Sequence, residues 1–464
     1  MATSGRSDPQ HRQQQLSALL RQLAPVPAAT LCTALGISQP TLSRALRQLP
    51  GLVSAGRGSR TRYALRRPLA GRDETVAVYV IDANGQAHDA GSLHPLAPAG
   101  SCLDIARLGW PVTDDMADGW HAGLPYPVAD MKPQGFLGRL QARAHHMALR
   151  LPENPNDWDD DDTLTFLATC GDDQPGNLII GEPALRRWLA RQHEPQQPIR
   201  PEARATQYPL LADAVTRGEP AGSSAGGEFP KFTATLASRG DQVRRVIVKF
   251  SGRGDDAATR RWADLLVCEH LALTTLHDAL NLPVAETSLL QHDGRTFLEV
   301  TRFDRHGSHG RSGLCSLQAL DHALLGSQRQ RWDHAAEKLE ARGCLDISDL
   351  WQIRLLLAFG QLIENTDMHF GNLSLRPGIM LTLAPVYDML PMRLAPLASG
   401  EVPVRDLPRH QPLPSERPAW RAACAAAMTF WARVGEDERI SSAFRALAHA
   451  RRKPLLTLAA SLAD

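Results

Sequence analysis

No cysteine of this 464-residue chain has a second cysteine two or three positions away. The seven present (Cys32, Cys102, Cys170, Cys268, Cys315, Cys344 and Cys424) are scattered singly. An odd number so spaced argues against a disulfide framework and against a zinc site. No apolar run reaches the roughly 18 residues of a membrane span. The polar start "MATSGRSDPQHRQQQ" lacks the apolar stretch of a signal peptide. The expectation is a soluble protein of a reducing cytoplasm with no membrane partner. Net charge is only +1, so the chain as a whole has no pull towards nucleic acid. Lysine, however, is missing from the first 67 residues, which hold ten arginines and one acid, Asp8. No internal repeat is present.

What is there begins with helices. "QLSALLRQL" has helical spacing, and "PVPAATLCTALGI" reads as a short helix stopped at Gly36. "SQPTLSRALRQL" follows, with Ser38 as N-cap and Pro40 in the first turn, where its missing N–H costs nothing. "GLVSAGRGSRTRYAL" then reads as a hairpin and "RRPLAGRDE" as a linker. Alternation in "TVAVYVIDANGQAHDAGSL" predicts another hairpin around "ANGQ". The acidic run "DWDDDD" (Asp157 to Asp162) could bind a cation, but carboxylates also favour a helix N-terminus, and that reading is preferred. Helical patterns cover 264–282 and 346–363.

Chemistry concentrates late in the chain. "ENTDMHFGN" follows the apolar run "LWQIRLLLAFGQLI" and sets Asp367 and Asn372 five positions apart. An Asp-x4-Asn loop can place a hydroxyl-orienting carboxylate beside a magnesium-binding amide. The same residues also fit a helix C-cap with Asn365 and Asp367 bonding local backbone. Sixteen residues after Asn372, "LAPVYDML" places Asp388 straight after a short apolar strand. "RRVIVKF" buries Lys249 in an apolar run, which is costly for a cation without anionic partners. "WADLLVCEHLALTTL" is an amphipathic helix carrying Glu269, a natural partner. "GRTFLEVTRFDR" gives a strand leading to Thr301, Arg302 and Phe303. "GSSAGGEFPKF" offers Ser223, Ser224, Gly226 and Gly227 in a turn whose N–H groups suit phosphate. Taken singly, Lys249 fits an edge strand and Glu269 a surface helix, while Asp388 and the Gly/Ser segment fit plain turns. Their joint order of loop, Lys, Glu, hinge, Asp-x4-Asn and Asp is what favours phosphoryl transfer.

The set "SSAGGEFPKF", "VIVKF", "CEHLAL", "TRFDR", "NTDMHFGN" and "YDMLP" resembles the HipA-type serine/threonine kinases of bacterial toxin–antitoxin systems, in particular the YjjJ branch. H-R-D, D-F-G and A-P-E, the marks of ordinary protein kinases, are absent. The resemblance implies an α+β, protein-kinase-like bilobal HipA fold using ATP and Mg²⁺. Asp367 would be the catalytic aspartate, Asn372 and Asp388 the metal ligands, and His369 a neighbour of the phosphates. Lys249, set by Glu269, would contact ATP. Thr301 to Phe303 would hold adenine through backbone groups. Ser223 or Ser224 would be autophosphorylated. "GGEFPK", with Glu228, departs from the family's usual G-x-Q-x-K.

The front end has the layout of a winged helix-turn-helix. Ser38, Gln39, Thr41, Ser43 and Arg44 would face base edges, with Arg57, Arg60 and Arg62 on the wing. The alternative is a protein-interaction module with a solvated basic face. The expected domains are 1–70 (winged helix-turn-helix), 74–200 (an N-terminal HipA-like part), 201–305 (glycine-rich loop, lysine strand and hinge) and 306–464 (helical, with the catalytic loop). Removing residues 1–70 is expected to leave phosphoryl transfer intact. Expected partners are a protein substrate and DNA. By analogy a homodimer and an antitoxin are added. Rival readings are a regulator whose kinase-like domain only senses a ligand, and a small-molecule kinase.

Overall fold

The computed structural model describes residues 9–23, 25–71, 75–194, 197–217, 229–238, 242–327, 331–407 and 411–463. The glycine-rich segment expected to hold Ser223, Ser224, Gly226, Gly227 and Glu228 lies outside them.

Helices Pro9–Leu23, Ala28–Leu35 and Gln39–Arg47 pack Leu16, Leu20, Leu31, Leu42 and Leu46 into one small core. Gly36 ends the second helix at φ 63°, a left-handed conformation that glycine adopts without a Cβ penalty. Ser38 stands at the N-cap of the third helix with Pro40 in its first turn, as the sequence predicts. Its hydroxyl bonds that of Thr41 (3.0 Å) instead of a backbone N–H. Strands Leu52–Ala55 and Arg62–Arg66 form the expected hairpin.

The described part of the stretch read as a linker, residues 66–71, begins inside the fold. Strand Arg62–Arg66 pairs with Ala87–Ala97, Leu65 opposite Ala97 and Arg66 opposite Leu96, and the Arg67 N–H donates to the Pro95 carbonyl (2.8 Å). The sheet thus runs from the front end into the second segment, in the order Val26–Pro27, Arg62–Arg66, Ala87–Ala97, Val76–Ile81, Leu178–Ile180. Val53 and Ala64 from one side share a buried cluster with Leu96, Cys102 and Trp120 from the other. Asp159 caps helix Asp160–Cys170, so the acidic run is indeed a helix start. Within it, Asp161 pairs with Arg67 (Nε–Oδ2 3.0 Å) and pins the crossing.

A four-stranded antiparallel sheet follows, ordered Thr287–His292, Arg295–Thr301, Val243–Phe250, Lys231–Ala237. Side chains alternate across it. Val246, Val248, Phe250 and Phe297 pack with Tyr208 and Ala212 of helix Arg204–Arg217. Leu298 and Val300, opposite in phase, join the main core with the long helix Ala257–Leu280. Lys249 is directly opposite Leu298 on one neighbour and Lys231 on the other, which puts all three on that second face.

Helix Ile347–Leu362 is buried nearly all round in its second half, Leu355 to Gly360, which matches the apolar run "LLLAFG" there. Gly360 in its last turn is needed for space: a Cβ there would lie 2.3 Å from the Met368 sulfur of the following loop. Helices Arg417–Glu436 and Ser442–Ala463 pack behind it. Among the described residues, no helix is long and apolar enough to cross a membrane.

Candidate active site

Two loops and one strand meet on the second face of the four-stranded sheet. Lys249, 6% exposed, places its Nζ 2.7 and 2.8 Å from the carboxylate oxygens of Glu269, which is fully buried on the long helix. The same amine bonds the Asp388 carboxylate, from 139 residues further along the chain. Burial alone pulls the Lys249 amine down, but Asp388 and Glu269 outweigh it and hold the pKa above the ordinary lysine range. Burial raises the Asp388 carboxyl, and Lys249, then Lys231, overcome this to hold it below the usual aspartate value. For Glu269 burial wins over Lys249, and its carboxyl sits above the usual glutamate value. A lysine between two carboxylates is therefore a stiff, charged post. Only the Asp388 side chain, 30% exposed, reaches towards solvent.

The second group is local. Asn372 donates from Nδ2 to the Asp367 carbonyl (2.8 Å) and lies 3.5 Å from its carboxylate. His369 accepts the Gly371 N–H at Nδ1 (3.0 Å), which leaves Nε2 for the proton of the neutral ring, 3.8 Å from Asp367 Oδ1. The Asp367 carboxylate is about half exposed, open to an incoming group.

Asn365 joins the two groups. Its Oδ1 accepts the Asp367 N–H (3.0 Å) and its Nδ2 reaches the Asp388 carbonyl (3.4 Å). The local backbone bonding expected of a helix end is thus present at Asn365, which also ties the Asp367 loop to the Asp388 loop. Tyr387, beside Asp388, donates to the Gly371 carbonyl (2.9 Å) and ties the same loops again. Glu364 and Asp388 carry φ values of 63° and 53°, two of six non-glycine residues beyond zero among the described residues. Such conformations cost on the order of 1–3 kcal/mol each and persist where surrounding contacts over-determine them. Here Arg451 pairs with Glu364 (2.8 Å), and the Arg393 N–H donates to its carbonyl (3.0 Å).

A cavity of about 520 Å³ opens along this face, lined by Lys231, Lys249, Asp388, Tyr387 and Gly371 as well as Thr301, Arg302 and Phe303. A more open hollow of similar volume near Ser251 and Arg295 holds none of the expected residues. Three of the chain's five lysines, Lys132, Lys231 and Lys249, line the cavity, so the sequence's rarest cation is concentrated here. Lys231 is visible in "EFPKF", but only the strand register shows that it faces Lys249.

In the expected hinge two backbone N–H groups are already engaged. The Thr301 N–H donates to Glu286 and that of Arg302 to Arg245, because the sheet pairing continues through them. The Arg302 side chain is likewise engaged, with Asp173 (3.2 Å) and Asp304 (3.1 Å). Arg305 pairs with the same two acids. Burial pushes the Asp304 carboxyl up, but Arg302 and then Arg305 bring it down to about 2. Asp173 belongs to the second segment, so this cluster fastens that segment to the sheet. Nothing local in the sequence signals it.

At the front end, Ser38, Gln39, Ser43 and Arg44 are exposed and Thr41 is half-buried, while Leu42 and Leu46 of the same helix face inward. Arg57 and Arg60 are exposed at the hairpin tip, and Arg62 is half-buried at the start of the returning strand.

Two family models match the chain. The family "YjjJ-like toxin, middle domain" matches residues 72–189, and "HipA-like C-terminal domain" matches residues 223–451. The toxin YjjJ of Escherichia coli (strain K12) is 36% identical over 437 residues, covering 94% of this chain and 95% of that protein. The solved toxin–antitoxin complex of Shewanella oneidensis MR-1 HipA, HipB and operator DNA contains a chain that matches 82% of this one and is itself 96% covered. Its TM-score of 0.52 at 13% identity speaks to the fold alone. With an α+β HipA-type fold and a relative matched along almost its whole length, the chain is a member of the HipA-like toxin family.

Proposed function

We propose that the chain transfers the γ-phosphate of ATP to a serine or threonine hydroxyl of a protein, and that its front end is a winged helix-turn-helix that binds DNA. The observation that carries the first part is the convergence of Lys249, Glu269 and Asp388 with Asp367 and Asn372, through Asn365, beside one cavity.

Asp367 accepts the proton of the attacking hydroxyl as the new phosphorus–oxygen bond forms and ADP departs. Lys249, held by Glu269, aligns the α- and β-phosphates, with Lys231 adding charge on the same face. Asp388 and Asn372 suit a magnesium ion. Such an ion commonly takes one or two protein oxygens and completes its shell with water and phosphate. Because Asn372 Nδ2 is engaged by Asp367, its Oδ1 is the atom left for a cation. Bound there, the ion would neutralise phosphate charge. Catalysis in this scheme is positioning and electrostatics. Ser223 and Ser224 are proposed acceptors in the chain itself, and a protein substrate and an antitoxin its partners.

The DNA reading is supported by the exposed polar start of helix Gln39–Arg47 and by a front end with ten arginines against one acid. Incubation with γ-labelled ATP tests the enzyme. Label on this chain or on a cellular protein, lost in Asp367→Ala, is the expected result. Turnover only with a small metabolite would instead identify a small-molecule kinase. Nucleotide binding with no transfer would leave a ligand sensor.

A further inference from the structure

One carboxylate of the cavity wall has no part in the scheme above. Asp130 lies in the second segment, directly after the helical turn Tyr126–Ala129, and lines the cavity along with Ser316, Tyr387 and Asp388. Its place is fixed by buried neighbours on both sides, Tyr126 and Val128 before it and Met131 after it. It accepts the Ser316 N–H at Oδ2 (2.7 Å) and the Ser316 hydroxyl at Oδ1 (2.5 Å), 186 residues along the chain. The buried Cys315 thiol is a third donor to it.

Ser316 in turn stands beside the far end of the catalytic loop. It is paired with Ser374, two residues after Asn372, and the next N–H, that of Leu317, donates to the Leu373 carbonyl (2.8 Å). The Ser374 hydroxyl meets that of Tyr387 (2.8 Å). Because Tyr387 gives its one proton to the Gly371 carbonyl, Ser374 is the donor. The carbonyls on either side of Asn372 are therefore both held, Gly371 by Tyr387 and Leu373 by Leu317. Ser316 also caps the short helix Leu317–Leu320, and a Cβ on Gly371 would lie 3.4 Å from Gln318 Oε1 of that helix. The bonds run without a gap from Asp130 to the backbone around Asn372 and, through Tyr387, to the residue before Asp388.

Resting on the kinase reading, we propose that Asp130 is a positioning residue, which from the second segment sets Asn372 and Asp388 at the spacing a magnesium ion needs. Groups that hold a metal ligand from behind tune how tightly the metal binds, and a carboxylate with three donors is a stiff support. The second segment thereby helps to hold the metal, besides its attachment to the hinge arginines through Asp173.

The test is equilibrium binding of AMP-PNP, a non-hydrolysable ATP analogue, to the full-length protein, once with Mg²⁺ and once with EDTA. The ratio of the two affinities measures the coupling between metal and nucleotide without any turnover, and in the parent it is expected to be about tenfold. Asp130→Asn offers one acceptor oxygen in place of two. It should cut the ratio to about twofold, with the affinity in EDTA near that of the parent. A role confined to fold stability would lower both affinities together, or the unfolding midpoint alone. An unchanged ratio in folded Asp130→Asn would therefore overturn the proposal and leave the kinase reading standing. Ser316→Ala removes one donor and keeps the N–H, so its ratio should fall in the same direction by less. Should Asp130→Asn fail to fold, an unchanged ratio in Ser316→Ala overturns the proposal instead. A parent that binds AMP-PNP equally in both conditions removes the metal assignment and this proposal with it. A parent that binds it in neither removes the kinase reading as a whole.

Discussion

The front end and the cleft both concentrate charge, and they treat it in opposite ways. At the front end Arg44 and Arg47 of one helix and Arg57 and Arg60 of the hairpin tip are exposed, against a single acid in the first 67 residues. In the cleft Lys249 and Glu269 are nearly sealed from water and bonded to one another. Exposed charge of one sign is suited to long-range, salt-sensitive attraction. Buried charge in balance gives little attraction at a distance but fixes atoms in place, and removing one partner leaves the other uncompensated. One region is built to meet something, the other to hold something still.

Four perturbations press on that contrast, from the largest effect to the smallest. Removal of residues 1–67 is expected to destabilise the whole chain by several kcal/mol, since it strips the strand paired with Ala87–Ala97 and uncovers Leu96 and Trp120. Loss of the cooperative unfolding transition, or a markedly lower midpoint, would be the sign. An unchanged midpoint would restore the front end as a separable module, as the sequence had suggested. Lys249→Met should abolish measurable phosphoryl transfer and lower stability by about 3–5 kcal/mol, because Glu269 is left buried without its cation. Denaturant titration of that variant beside Glu269→Gln separates the charge effect from the activity effect. A Lys249→Met protein as stable as the parent would contradict the buried-pair account.

The acid limb comes third. Asp304 falls from 3.8 to about 2 on folding. A lowered carboxyl adds stability above its unfolded value, and that part is lost as pH falls through the folded one. Between about pH 4 and pH 2 this one group should therefore remove about 2 kcal/mol. Asp304→Asn should flatten that stretch of the stability–pH curve. The smallest effect belongs to the surface. Arg57→Ala and Arg60→Ala should each weaken retention of duplex DNA and reduce the salt slope of binding by about one, with transfer activity unchanged. A slope that stays the same would free these arginines of any phosphate contact.

What the sequence made legible follows from the range of the contacts involved. Asp367 and Asn372 sit in one short loop, Lys249 and Glu269 each lie in an element whose period is plain, and Asp388 follows a short apolar run, so ordered local patterns pointed to all five. Helices Ala257–Leu280 and Ile347–Leu362 came within a few residues of their bounds except at the first start, which lies seven residues earlier than the pattern suggested. The pairing of Lys231 with Lys249 depends on strand register, and the Asn365 bridge on where a distant loop arrives. The Asp130–Ser316 and Asp173–Arg302 pairs join residues more than a hundred positions apart, where no local pattern exists. "RRPLAGRDE" reads as a linker for a related reason: its first two arginines are placed by distant partners, Arg66 by the strand Ala87–Ala97 and Arg67 by Asp161.

The central claim is that Lys249 and Lys231 face the phosphates of a bound nucleotide. An acyl-phosphate derivative of ATP, which transfers its acyl group to amines near the phosphates, reads this directly by peptide mass spectrometry. Acylation at Lys249 or Lys231, suppressed by excess ATP and Mg²⁺, is the predicted outcome. Acylation confined to Lys132, Lys338 or Lys453, or labelling that ATP fails to suppress, would contradict it.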